Sequence, residues 1–259
     1  VTYLDGIIAH HRRRAANDAR DPDTVRRNLP KGPARGFVRA LVTASRLAVI
    51  AEIKRRSPSK GDINMGIEPG LLAREYERGG ADCLSVLTDA PHFAGSAADL
   101  SSARAAVSLP VLRKDFTVCD LDVLDARVMG ADAVLLIVAA LSDRELQRLH
   151  ALAMEVGIDA LVEVHDEVEL ERAMAIDARC IGVNQRDLHT FHVDPQRAVR
   201  LARRIPSDVV KVAESGIAGG DDARRCADAG YRAVLVGEHL VRSENRAKAL
   251  EELRVVLPS

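Results

Sequence analysis

Five ionisable side chains stand at the ends of short apolar segments, an expensive place for charge. Glu52 and Lys54 close residues 49–54, Lys114 closes residues 110–114, Glu163 lies at the end of residues 159–164, and Glu214 closes residues 209–214. Asn184 ends a further segment in the same way. Removing an ion from water costs several kcal/mol unless it is paired, so any one of these reads as half of a structural ion pair. Five converging on one rim read differently: alternating carboxylates and ammoniums supply acid, base and electrostatic stabiliser together.

The elements that must carry these groups recur along the chain. Residues 49–54, 82–87, 110–114, 132–138, 159–164, 179–184, 209–214 and 233–237 are short runs rich in Val, Ile, Leu and Ala. They are spaced roughly one strand–helix unit apart. Helical signals fill the gaps: a Ser142/Glu145 capping box before Leu146, Leu149, Leu152 and Val156, with Gly157 as a stop; Asp194-Pro195 opening another helix; Pro69 and Gly79-Gly80 bracketing a third. Gly80-Ala-Asp, Gly130-Ala-Asp and Gly230-Tyr-Arg echo one another ahead of three strands. Apolar strands alternating with helices predict a parallel sheet covered by helices, and eight units favour a closed barrel. No GxGxxG follows the first strand, which removes the dinucleotide-binding alternative. The expected fold is α/β, a (β/α)8 TIM barrel forming one domain over residues 1–259. Residues 1–46 form an N-terminal helical extension, with Gly32-Pro33 as the break. Side chains alternate inward and outward along a barrel strand, so the charged positions face the C-terminal mouth, where such barrels place their sites. Lys211, of opposite parity, is expected to reach outward.

The last two units add Glu214-Ser-Gly-Ile217 and Val236-Gly-Glu-His239. Small residues at these two turns let backbone N–H groups approach an anion, which predicts a phosphorylated small molecule as partner. Other clusters are weaker. His189-x-x-His192 lacks supporting carboxylate or Cys ligands, His10-His11 reads as surface, and His165 as a loop residue with a capping or solvent role. Ser57 has no Ser-His-Asp partners and reads as a substrate-binding or turn residue.

Composition narrows the class. Lys plus Arg is 37 against 38 Asp plus Glu, a net charge of −1 that gives no field for a nucleic acid. Residues 1–46 are locally basic and read as a solvated helix face. The four cysteines are widely spaced, as in a reduced cytoplasmic protein, and no apolar run would span a membrane.

With these residues in view, the chain resembles the indole-3-glycerol phosphate synthases. Glu52-Ile-Lys-Arg-Arg-Ser-Pro-Ser-Lys-Gly61 is the most specific match. Ser85-Val-Leu-Thr-Asp89 with Phe93-x-Gly95-Ser96, Leu112-Arg-Lys-Asp-Phe116, Leu161-Val-Glu-Val164, Gly182-Val-Asn-Gln-Arg-Asp-Leu188, Ala213-Glu-Ser-Gly-Ile217 and Leu235-Val-Gly-Glu238 follow in family order. The resemblance implies ring closure of 1-(o-carboxyphenylamino)-1-deoxyribulose 5-phosphate to indole-3-glycerol phosphate, with loss of carbon dioxide and water, in tryptophan synthesis. It implies no cofactor and no metal, a cytoplasmic and often monomeric enzyme, and an extension that helps cover the barrel top.

Carried over by position, Lys114 resembles the general acid and Glu163 a carboxylate that stabilises charge and moves protons. Lys54 resembles a substrate-binding lysine that assists dehydration, with Glu52 as its partner, while Asn184 and Glu214 orient hydroxyls and the ionic network. Ser57 and Arg186 match substrate contacts. Ser215, Gly216, Gly237 and Glu238 (through its backbone N–H) match the phosphate site. Phe93, Phe116 and Leu135 match apolar contacts to the aromatic ring. Two positions depart from the family pattern: His92 stands where an aromatic is common and Gln185 where a small residue is. The rival readings are phosphoribosylanthranilate isomerase, whose Cys/Asp pair has no counterpart on the first strand here, and a non-catalytic sugar-phosphate or RNA-binding barrel, which predicts a degraded rim.

Overall fold

The computed structural model describes residues 3–187 and 190–258. Eight parallel strands close into one barrel. They are β1 (Ala48–Ile53), β2 (Cys83–Leu87), β3 (Val111–Lys114), β4 (Ala133–Ile137), β5 (Asp159–Val164), β6 (Cys180–Asn184), β7 (Val210–Glu214) and β8 (Ala233–Val236). β1 pairs with β2 on one side and β8 on the other, which closes the ring. Every expected strand is present within a residue of its expected ends. A short hairpin of Arg56–Ser57 against Gly61–Asp62, not foreseen from the sequence, follows β1.

The helices start and stop for local reasons. Three lie in the extension, α1 (Tyr3–Ala16), α2 (Pro22–Arg27) and α3 (Phe37–Thr43). Outside the barrel run α4 (Pro69–Arg78), α5 (Ala90–Phe93), α6 (Ala97–Ala106), α7 (Asp120–Met129) and α8 (Asp143–Glu155). They are followed by α9 (Glu167–Met174), α10 (Gln196–Ala202), α11 (Gly220–Asp228), α12 (Glu238–Arg242) and α13 (Arg246–Leu253). Ser142 and Glu145 cap α8 reciprocally, and its Leu146, Leu149 and Leu152 face the core. Asp194 accepts from the Gln196 N–H at 3.0 Å at the start of α10.

Gly80, Gly130 and Gly230 share a left-handed backbone, φ 91°, 88° and 89°, which explains the sequence echo. In two of the echoes the next acidic residue fastens a neighbouring strand: Asp82 accepts from Val49 N–H and Asp132 from Val111 N–H, each at 2.9 Å.

The extension does not act only as a cover for the top. Leu4 and Ile7 of α1 lie at the mouth of the barrel, α2 packs beside α7, and α3 closes the opposite end. There the buried Phe37 and Leu41 meet the strand starts, the Val38 N–H donates to Asp159 Oδ2 at 2.9 Å, and the Arg35 N–H donates to Asp132 Oδ1 at 2.7 Å. Burying a side chain the size of Phe37 contributes about 1.5–3 kcal/mol, enough to hold α3 in place.

Candidate active site

At the C-terminal mouth the strands surround a cavity of about 860 Å³. All the residues singled out from the sequence as catalytic or substrate-binding border it, from Glu52 on β1 to Glu238 on α12. Register explains why the charged groups meet. Glu163 pairs with Gly182 across β5 and β6, Asn184 with Glu214 across β6 and β7, and Glu52 with Ser85 across β1 and β2. These positions share the inward parity of the barrel.

Two clusters form the floor. Lys54 Nζ donates to Glu52 Oε1 at 2.5 Å, and Ser85 Oγ donates to Glu52 Oε2 at 3.4 Å. Lys114 Nζ lies 3.3 Å from Glu163 Oε2 and 3.6 Å from Glu214 Oε2. Asn184 Nδ2 donates to Glu163 Oε1 at 3.1 Å, while its Oδ1 accepts from the Arg186 N–H at 3.0 Å. Two glycines make room for these groups. A Cβ at residue 182 would overlap Glu214 Oε1, and a Cβ at residue 237 would overlap Glu52 Oε1.

Burial raises the pKa of all three carboxyl groups, and their neighbours then carry them in opposite directions. Desolvation opposes charge on Glu52, but the charges of Lys54 and Lys114 and the hydrogen bonds from Lys54 and Ser85 outweigh it and hold its pKa below the usual range. Desolvation likewise opposes charge on Glu163, and Lys114, His165 and Asn184 hold it ionised. Glu214 is pushed up to about 8, first by burial and then by repulsion from Glu163, with Lys114 only partly offsetting them. Burial pulls the Lys114 pKa down, yet Glu163, Glu214 and Glu52 outweigh it and raise it. Near neutral pH Glu52 and Glu163 are therefore carboxylates, Lys114 an ammonium and Glu214 a neutral carboxyl, with Glu214 Oε1 buried and lacking a hydrogen-bond partner. Neighbouring acids driven apart in this way can serve as donor and base in one step.

The strand order sets the walls. Phe93, Phe116 and Leu135 follow or lie on β2, β3 and β4, with Leu4 and Ile7 of α1 beside them. Across the barrel, after β7 and β8, Ser215 and Gly216 take left-handed backbones of φ 64° and 70°, and Gly237-Glu238 opens α12. A side chain at residue 216 would strike Val193 as well as strain the backbone. Gln185, one of the two departures from the family pattern, is buried and its Nε2 donates to the Ser215 carbonyl at 2.7 Å, so it braces this loop. Ser57 is buried on the β1 hairpin. The Arg186 guanidinium donates to the Phe191 carbonyl at 3.1 Å, tying down the loop that follows β6.

Several side chains stand differently from their sequence reading. His11 is buried, not on the surface, because its Nε2 lies 2.9 Å from Asp89 Oδ1 and its ring packs against Phe116. His165 has neither a capping nor a solvent role. Asp166 caps α9, and His165 sits between Glu169, 2.9 Å from Nδ1, and Glu163, 3.5 Å from Nε2. Burial alone would lower its pKa, but the Glu169 hydrogen bond and the Glu163 charge raise it. Its spacing from the two glutamates was the available signal, and Ser85, polar in an apolar strand, was another. Lys211 does point away from the barrel interior, donating to the Ala202 carbonyl at 2.9 Å. His192 is exposed, and His189 lies outside the described residues. No helix among the described residues is long and apolar enough to cross a membrane.

The family model for indole-3-glycerol phosphate synthase matches residues 4–253. The chain belongs to this family. An indole-3-glycerol phosphate synthase from a Nocardioides species is 54% identical over 206 residues, covering 80% of this chain and 79% of its own. One from Hyphomonas neptunium is 43% identical over 261 residues, covering 98% of both. Among solved structures, thiamine phosphate pyrophosphorylase from Pyrococcus furiosus shares the fold alone, at a TM-score of 0.61 and 19% identity over 81% of this chain and 95% of that one. Family membership accounts for the shared order of motifs from residue 52 to residue 238, and it leaves the roles of individual side chains to be argued from geometry.

Proposed function

We propose that the chain closes the indole ring of 1-(o-carboxyphenylamino)-1-deoxyribulose 5-phosphate, releasing carbon dioxide and water, with Lys114 as the acid. One observation carries this assignment: Lys114 is a charged ammonium on the cavity floor, within 3.6 Å of both Glu163 and Glu214. The phosphate binds the N–H groups around Ser215-Gly216 and Gly237-Glu238, where Ser57 and Arg186 add polar contacts. The aromatic ring then lies across the barrel against Phe93, Phe116 and Leu135, which puts the ribulose carbonyl over Lys114.

As the ring carbon attacks that carbonyl, negative charge grows on its oxygen, and a fixed ammonium stabilises and protonates it. Loss of carbon dioxide from the attacking ring carbon, which carries the carboxylate and no hydrogen, returns the electron pair to the ring and restores the aromatic system. Elimination of the hydroxyl then needs a donor and an acceptor. Glu163, held ionised, takes up a proton, while Lys54 with Glu52 binds and assists the departing hydroxyl. Glu214 is neutral near pH 7 and joins Asn184 in holding the substrate hydroxyls and limiting negative charge beside Glu163. Every group in this scheme comes from one chain, so a monomer suffices for the reaction.

Following indole fluorescence after mixing protein and substrate without added metal tests the reaction. A rise that Lys114→Ala abolishes supports it. A flat trace from folded wild-type protein would rule out this substrate.

A further inference from the structure

Outside the catalytic floor, α1 meets the turn after β2 through three ligand-type side chains. His11 Nε2 lies 2.9 Å from Asp89 Oδ1, and His92 Nδ1 lies 3.1 Å from Asp89 Oδ2. The three donor atoms fall within 4.8 Å of one another. His11 and Asp89 are buried, and the His92 side chain keeps 19% exposure, which leaves one opening to solvent. A fourth oxygen is close, Asp115 Oδ1 at 3.9 Å from His11 Nε2, although it already accepts from the Phe116 N–H. None of these groups has a role in the proposed reaction.

We propose that His11, Asp89 and His92 form a binding site for a divalent transition-metal ion, best suited to zinc, which fastens the N-terminal helix to the barrel rim. The donor set selects the ion class. Two imidazole nitrogens and one carboxylate suit zinc, whereas magnesium and calcium require mostly oxygen ligands. With ligand bonds of about 2.0–2.2 Å, the donors of a tetrahedral zinc ion stand about 3.3 Å apart. The two observed contacts to Asp89 are close to that spacing. The ion replaces the shared hydrogens of the existing His–Asp contacts, and solvent or Asp115 completes the shell.

The ligands come from two elements 78 residues apart. His11 packs on Phe116 with ring centroids 5.3 Å apart, and Phe93 follows His92 directly, so the ion also braces the aromatic wall of the cavity. The edge contacts of His92 with Tyr3 and His10 need only a ring and are available to phenylalanine. His92→Phe therefore removes a ligand while keeping the packing.

The experiment titrates untagged, chelator-treated full-length protein with zinc chloride by calorimetry, and with cobalt(II) by visible absorption. Wild type is compared with His92→Phe and His11→Gln, each checked for folding by circular dichroism. Wild type is expected to take up one equivalent with a dissociation constant on the order of micromolar or tighter. Each variant loses at least about tenfold in affinity, since even outer partners of a metal site are worth about 10–100-fold. The cobalt band of a nitrogen- and oxygen-ligated ion weakens in step. The two variants alter different elements, so misfolding of one leaves the other to decide. Absence of saturable uptake by wild type overturns the proposal, as does uptake undiminished in the folded variants, which would put the ion elsewhere.

Discussion

The two ends of the barrel carry the same kinds of charge under opposite conditions. At the N-terminal end Asp132 is fully buried, yet it accepts from the Arg104 guanidinium and from the N–H groups of Arg35 and Val111. At the C-terminal end Glu214 is almost as deeply buried and keeps Oε1 without a partner, with Glu163 beside it and one lysine to share. A buried carboxylate whose acceptor sites are filled holds a structure together. One left short of donors is shifted in pKa and available for chemistry. Burial does not distinguish Glu214 from Asp132, whereas hydrogen-bond completeness does.

Substitutions at each end sharpen the contrast. The largest effect belongs to Lys114→Ala, which should lower turnover by about 10²–10⁴-fold while the circular dichroism spectrum stays unchanged; near-normal turnover would remove Lys114 as the acid. At the other end Asp132→Ala should leave Arg104 without its partner and cost about 3–5 kcal/mol of stability, read as a lower denaturant midpoint. Turnover per folded molecule should hold, and a matching loss of turnover would break the division between the ends. Ser215→Asp should raise the Michaelis constant by about tenfold, because one pKa-unit-sized repulsion, about 1.4 kcal/mol, is a tenfold change in binding. An unchanged constant would move the phosphate site.

The smallest effect concerns pH. Glu214 has a folded pKa raised to about 8, so the folded protein holds a proton that the unfolded chain releases at lower pH. Its contribution is present in full below the usual glutamate value and is lost as pH rises through about 8. Glu52 and Glu163 are shifted the other way, and their contribution is lost only as pH falls below the usual carboxylate range. The melting temperature of wild type should therefore decline from about pH 6 to about pH 9 more steeply than that of Glu214→Gln, which cannot ionise. Parallel curves would mean that Glu214 is not the shifted acid.

Much of the catalytic end was legible because it depends on short-range pattern. Strand parity and position at a strand end place Glu52, Lys54, Lys114, Glu163, Asn184 and Glu214 without any knowledge of the helices. Small residues after the last two strands mark the proposed phosphate loops for the same reason. His11 was not legible, since its environment is made by Asp89 and Phe116, which only the docking of α1 brings near. The extension was readable as helical but not as divided between the two ends, because α3 is held by carboxylates at strand starts that read as ordinary turn residues. His165 was misjudged from its place after a strand. Its two glutamate neighbours lie two and four residues away, close enough in sequence to have been noticed.

Gly182 carries a consequence in genetic terms. Every single-base change in a glycine codon that keeps an amino acid there introduces a Cβ, and any Cβ at this position evicts the Glu214 carboxyl from its place beside Lys114. Codon 182 therefore has no conservative neighbour. Variation at Glu214 can be graded through Gln or Asp, whereas every variant at Gly182 displaces that carboxyl, although the residue contributes no atom to the chemistry.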